Sequence, residues 1–169
     1  MSDRKSQPPQ KAFANRSNLV GTDGLYKYFP LKKALPTVRT FIADNSIHFT
    51  MQPHDDVEWD TLIPGDGLVY LGPDKQPYTV SVVHQLRCID IARRGIYDVA
   101  MHPENSAKHP TPLENHCVNY LRQMIQCRAD LELDPVAGRP FPNVHPESYE
   151  CADWDQLLDA IQENQSAAQ

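Results

Sequence analysis

The chain has 169 residues, a natural size for one domain around one core. Its 40% hydrophobic content and 15 prolines predict a compact centre with long irregular connections. A net charge of -6 and a pI near 5.6 leave no basic stripe to neutralise phosphates, which argues against nucleic acid as a partner.

Residues 1–18 are polar, carry Pro8-Pro9 and read as a disordered tail. They hold charges but no apolar run of the kind a secretory signal needs. No stretch elsewhere reaches the roughly 18 apolar residues of a bilayer crossing. The expectation is a soluble, cytoplasmic protein without a membrane anchor, whose four cysteines are reduced by default. Residues 19–36 are turn-rich, with Gly21-Thr22-Asp23-Gly24 ahead of LYKYFP, and read as an arm across a core. Ile47, Phe49 and Met51 alternate with polar residues, the period of a short strand. A turn-prone stretch with Asp56, Trp59, Asp60 and Pro64-Gly65-Asp66-Gly67 follows, and GLVYL and YTVSVV read as two more short strands.

A helix is predicted from about Val82 to Tyr97, with Gly95 as its C-terminal signal. The polar loop HPENSAKHP, holding His102 and His109, leads to a second helix at Thr111-Pro112-Leu113-Glu114. That opening pairs an N-cap threonine with a glutamate three residues on and a proline at the first helical position. Its apolar face is Leu113, Cys117, Tyr120, Leu121 and Met124. Prolines 135, 140, 142 and 146 break the text that follows. A last helix starts near Asp153, with Gln156 at capping-box spacing and Trp154, Leu157, Leu158 and Ile161 as its stripe. The reading is an α+β fold in a single small domain over 19–162, with residues 163–169 as a frayed tail. Two antiparallel motif helices and a C-terminal helix pack there with a few short strands and long irregular loops.

HQLRC, residues 84–88, and LENHC, residues 113–117, are imperfect copies of one pattern. His84 falls on Leu113, Arg87 on His116 and Cys88 on Cys117, and Arg93 and Arg122 each follow five residues after their cysteine. Positions i, i+3 and i+4 share a helix face, so antiparallel packing brings both sets into one shallow site. The plainer reading makes His84 and His116 hydrogen-bonded core histidines and Tyr120 core packing. Cys88 and Cys117 read as small buried hydrophobes or, alternatively, a helix–helix disulfide, and Cys127 and Cys151 as structural residues, with a pairing between them as the alternative.

HQLRCIDIARRGIY followed by ENHCVNYLRQMIQCRADLEL, with YECADW downstream, resembles the fungal UstYa-like mycotoxin-biosynthesis family. That family is marked by two HxxHC motifs, the second running into a HCxxYLRQxxxC segment like that from His116 to Cys127. The similarity covers roughly residues 45 to 156. It implies a tailoring role in fungal secondary metabolism, as an oxidase or oxidative cyclase, with copper in some members and often with an N-terminal membrane anchor. The chain departs from the pattern in having Arg87 for the second histidine of the first motif and Leu113 for the first histidine of the second, and the expectation from these residues is that it also lacks the anchor.

Arginine stays protonated and cannot ligate a cation, and its charge beside a divalent ion is repulsive. Leucine has no lone pair. His84 and His116 would then hold one copper only with a third ligand, such as His102, His109 or His145. The favoured expectation is a cyclase or isomerase without cofactor, acting on a small-molecule intermediate. In it His84 and His116 move protons, Arg87 stabilises developing negative charge, and Tyr120 contacts the substrate. The alternatives are a copper-dependent oxidase or oxidative cyclase built on His84 and His116, and a non-catalytic relative that binds a product or a partner enzyme. A homo-oligomer is compatible with all three.

Overall fold

A computed structural model of the chain describes residue 20 and residues 25–41, 47–129, 131, 136–137, 143–144 and 148–169. The tail expected over 1–18, and His145, lie outside the described residues. In chain order come β1 (Thr37–Phe41), a 3-10 turn at Pro53–Asp55, α1 (Asp56–Thr61), β2 (Val69–Leu71) and β3 (Gln76–Tyr78). They are followed by α2 (Ser81–Met101), a 3-10 segment at Pro103–Lys108, α3 (Pro112–Arg128), β4 (Val136–Ala137), β5 (Asn143–Val144), β6 (Ser148–Ala152) and α4 (Trp154–Ala168). The architecture is α+β, with antiparallel strand pairs β1–β6, β2–β3 and β4–β5.

Val69 and Leu71 of β2 point the same way, as alternation in a strand requires, and meet Val83 of α2 and Ile161 of α4. These four side chains are buried, and Tyr26, Phe29, Ile63, Tyr78, Val80 and Leu157 close around them. Tyr70 faces the other way. Its backbone N–H donates to Asn164 Oδ1 at 2.7 Å and its carbonyl accepts from Asn164 Nδ2 at 2.9 Å. One amide side chain of α4 therefore does for the edge of β2 what a neighbouring strand would do. Gln165 donates to the carbonyls of Pro64 and Leu68, both at 2.9 Å, and Lys32 pairs with Glu163 at 2.6 Å. These bonds explain why α4 stays helical to Ala168 where the sequence suggests a frayed end.

Several elements differ from the sequence reading. Residues 47–49 form bends instead of a strand, with Phe49 at φ 55°, and Asp56–Thr61 is helical. YTVSVV divides: the strand stops at Tyr78 and the helix starts at Ser81, because the short valine run serves the helix face that buries Val83. α2 passes through Gly95 and ends six residues later, at Met101. β6, in the stretch read as irregular, pairs with β1 in the register Thr37↔Ala152 to Phe41↔Ser148.

Candidate functional site

α3 begins as its sequence dictates. Thr111 Oγ1 accepts from the Glu114 N–H at 3.2 Å, and the Glu114 carboxylate accepts from the Thr111 N–H at 2.5 Å. α3 lies antiparallel to α2, with His84 near the start of α2 beside Tyr120 far along α3, and Gly95 late in α2 beside Glu114 in the first turn of α3. The two motifs meet across this pair. The His84 and His116 rings have centroids 5.8 Å apart and planes within 20° of parallel. Tyr120 stacks on His84 at 4.1 Å and lies 6.2 Å from His116. His84 and Tyr120 are half-buried and His116 is exposed, so the group is open to solvent on one side.

Burial lowers the His84 pKa first, and the neighbouring His116 and Arg87 lower it further. His84 is therefore mostly neutral at pH 7 and offers a basic nitrogen. Burial, with Cys88 nearby, raises the Tyr120 pKa, so its phenol keeps its proton. Below the rings lie Cys88 and Cys117, each 1% exposed. Burial, together with the Cys117 thiol that bonds its protonated form, pushes the Cys88 thiol up to about 12. The four cysteines are thiols in the structure, with Cys127 exposed at the end of α3 and Cys151 half-buried on β6.

Arg87 and Leu113 do not join the stack. Arg87 donates from Nη2 to the Asp66 carbonyl. Its guanidinium lies over Gly67, where a Cβ would sit 2.7 Å from Nη2 and 2.9 Å from Nε. Gly67 also has φ +72°, so both backbone and space require glycine there. Its loop is braced by Gly67 N–H to Pro64 O (2.9 Å), Leu68 N–H to Asp66 Oδ1 (2.9 Å) and Tyr70 O–H to Asp66 Oδ2 (2.6 Å). Leu113, assigned by its spacing to the apolar face, is 56% exposed.

Two polar clusters beside the site carry little sequence signal. In the first, His109 Nε2 bonds Asp98 Oδ2 at 3.0 Å, and its Nδ1 lies 2.9 Å from each Glu114 carboxylate oxygen. Glu114, then Asp98, raise the His109 pKa. Glu114 lies flat on Gly95, where a Cβ would come 1.9 Å from Oε1. Gly95 is thus a packing glycine, which is why α2 does not stop there. In the second, the buried Arg93 bonds Asp56 (2.5 Å) and Asp90 (2.6 Å), reaches the carbonyls of Met51 and Gln52 at 3.3 Å, and lies 5.3 Å from the Trp59 ring centre. Its counterpart in the repeated motif, Arg122, bonds Gln126 and Asn119 of its own helix among the described residues. Repetition in sequence marks both arginines; only the tertiary setting separates them.

Copper, implied by the family resemblance, suits imidazole ligands. His84 and His116 supply two. The described residues contain no group of three His, Cys, Asp or Glu side chains able to hold a metal. Of the third ligands considered, His109 is clamped between two carboxylates and His102 lies 3.4 Å from Glu104. The described side chains thus do not make a complete copper site.

The fold and its stacked motif residues define a small α+β protein with a paired-helix imidazole site. Residues 44–164 match the family described as Mycotoxin biosynthesis protein UstYa, and the chain belongs to that family. Over 108 residues it is 30% identical to Oxidase ustYa of Aspergillus flavus, covering 62% of this chain and 50% of that protein. Over 89 residues it is 29% identical to the UstYa family oxidase phomYd of Diaporthe leptostromiformis, covering 48% of this chain and 28% of that one. A second oxidase of that organism, phomYe, is 28% identical over 105 residues, covering 54% of this chain and 35% of its own. The chain therefore spans half or less of the length of these relatives. No solved structure matches. Among the described residues no helix is long and apolar enough to cross a membrane.

Proposed function

We propose that this chain is a tailoring enzyme of fungal secondary metabolism that oxidises a small-molecule intermediate at the His84–His116–Tyr120 surface. The observation that carries this reading is the stack itself: two imidazoles and a phenol from the paired motif, assembled across two helices and open on one side. The names of the relatives, all oxidases, support oxidation over isomerisation. Within the site, neutral His84 takes one proton from the substrate, while the two electrons and the second proton pass to dioxygen, which with the proton returned by His84 leaves as hydrogen peroxide. The flat Tyr120 and His116 rings orient a planar or unsaturated substrate by stacking. Arg87, tied to the Asp66 carbonyl, braces the first turns of α2 against the glycine loop, which weakens the oxyanion role expected from sequence.

The test incubates purified protein with the intermediate and follows dioxygen uptake together with product mass. Uptake matched to a product two hydrogens lighter, and lost by about 10²–10⁴-fold in His84→Ala, is the expected result. A second reading, cyclisation or isomerisation, uses the same neutral His84 as its base and needs no electron acceptor. Turnover to a product of unchanged mass, with no dioxygen consumed, would select that reading and remove the oxidase.

A further inference from the structure

Cys88 and Cys117 are the most deeply buried reactive groups near the site, and neither is used in the chemistry above. They sit at the middle of the α2–α3 contact. On one side the helices are joined by His84 against Tyr120 at 4.1 Å, and on the other by Glu114 lying on Gly95. Each thiol is 1% exposed. Because Gly95 carries no side chain, the Glu114 side chain packs directly against α2 just beyond the pair. We propose that Cys88 and Cys117 become a disulfide during folding, a cross-link between the motif helices that fixes the distance between His84 and His116. The bond joins the turn that follows His84 to the residue that follows His116, so it holds both imidazole-bearing turns directly.

The reaction is thiol–disulfide exchange with a low-molecular-weight disulfide. The two cysteines lose two protons and two electrons, one S–S bond forms between them, the S–S bond of the oxidant breaks, and it leaves as two thiols. Once folded, both sulfurs are sealed from solvent, so attack by external thiols or disulfides is slow in either direction. The oxidation state set at folding is then retained. The cross-link implies folding in an oxidising compartment, contrary to the reduced state expected by default from the sequence. Cys127, exposed on α3, is left as a free thiol.

The full chain is unfolded, reduced and refolded in a buffer of reduced and oxidised glutathione. It is then trapped with N-ethylmaleimide in acidified guanidinium and mapped by mass spectrometry. The expected result is a linked peptide pair holding Cys88 and Cys117, two hydrogens lighter than the sum of its parts, with Cys127 alkylated. The linked form should melt about 10 °C above the reduced form, on the scale of a cross-link that closes a loop of this length. The Cys88→Ala/Cys117→Ala variant should show no such redox dependence. Alkylation of both Cys88 and Cys117 in the refolded wild-type chain, or linkage of either to Cys127 or Cys151, would overturn the proposal. So would equal melting temperatures for the linked and reduced chains. The mapping is made on the wild-type protein, so it stands whether or not the variant folds.

Discussion

Replacing Gly95 by alanine should destabilise this protein, although the same change in an ordinary helix interior is favourable by about 1 kcal/mol. The added Cβ would lie 1.9 Å from Glu114 Oε1 and 2.8 Å from Cδ, so the carboxylate has to move. It is not a loose chain end. It accepts from the Thr111 N–H at 2.5 Å and contacts His109 through both oxygens at 2.9 Å. Loss of the cap costs about 1 kcal/mol, and forcing a side chain out of a filled contact costs about 1–3 kcal/mol. Set against the gain in helix propensity, the net is a loss of about 2 kcal/mol, a fall in Tm of about 4–8 °C. The control is Glu114→Ala. In that background the obstacle is gone, and Gly95→Ala should stabilise by about 1 kcal/mol. Thermal and urea melts of the four proteins measure the cycle. A higher Tm for Gly95→Ala in the wild-type background, or the same shift in both backgrounds, would refute the packing role assigned to Gly95.

Because its partners raise the His109 pKa, its contribution to stability is fully present below the unfolded value near 6.5 and is lost as pH rises through the folded value. Melts across that range should show Tm falling as pH rises, and His109→Gln should flatten the decline. Arg93→Ala leaves Asp56 and Asp90 facing a buried space and should cost about 3–5 kcal/mol in urea unfolding. Arg94→Ala, at a side chain 45% exposed, should cost about 0–1 kcal/mol in the same assay. In turnover assays Arg87→Ala should stay within about tenfold of wild type while His84→Ala falls by about 10²–10⁴-fold, since the histidine alone transfers a proton. Equal losses in the two variants would return Arg87 to the reacting centre.

What the sequence makes legible is local or periodic. Thr111 and Glu114 cap α3 as their spacing demands, and Asp153 accepts from the Gln156 N–H at 3.1 Å to start α4. The two motif helices, their expected antiparallel pairing and the meeting of His84 with His116 on the faces that i, i+3, i+4 spacing defines hold in the structure, whereas the stacking of Tyr120 on His84 is not signalled by the sequence. What fails depends on distant partners. Arg87 shares the motif face by spacing, yet a loop closed by Gly67 draws its guanidinium away. Gly95 reads locally as a stop, whereas its role is room for Glu114, and His109 has no spacing signal because Asp98 and Glu114 flank it from two different helices. The β1–β6 ladder joins segments from opposite ends of the chain, beyond the reach of any local pattern.

The central claim, oxidation at the paired imidazoles, is tested most directly by the mass of the intermediate that accumulates when the gene is deleted in its producing strain. The account predicts an intermediate two hydrogens heavier than the compound into which purified protein converts it. It also predicts that the strain recovers with the wild-type gene but not with His84→Ala. An intermediate of the same mass as that compound, or full recovery with His84→Ala, would contradict it.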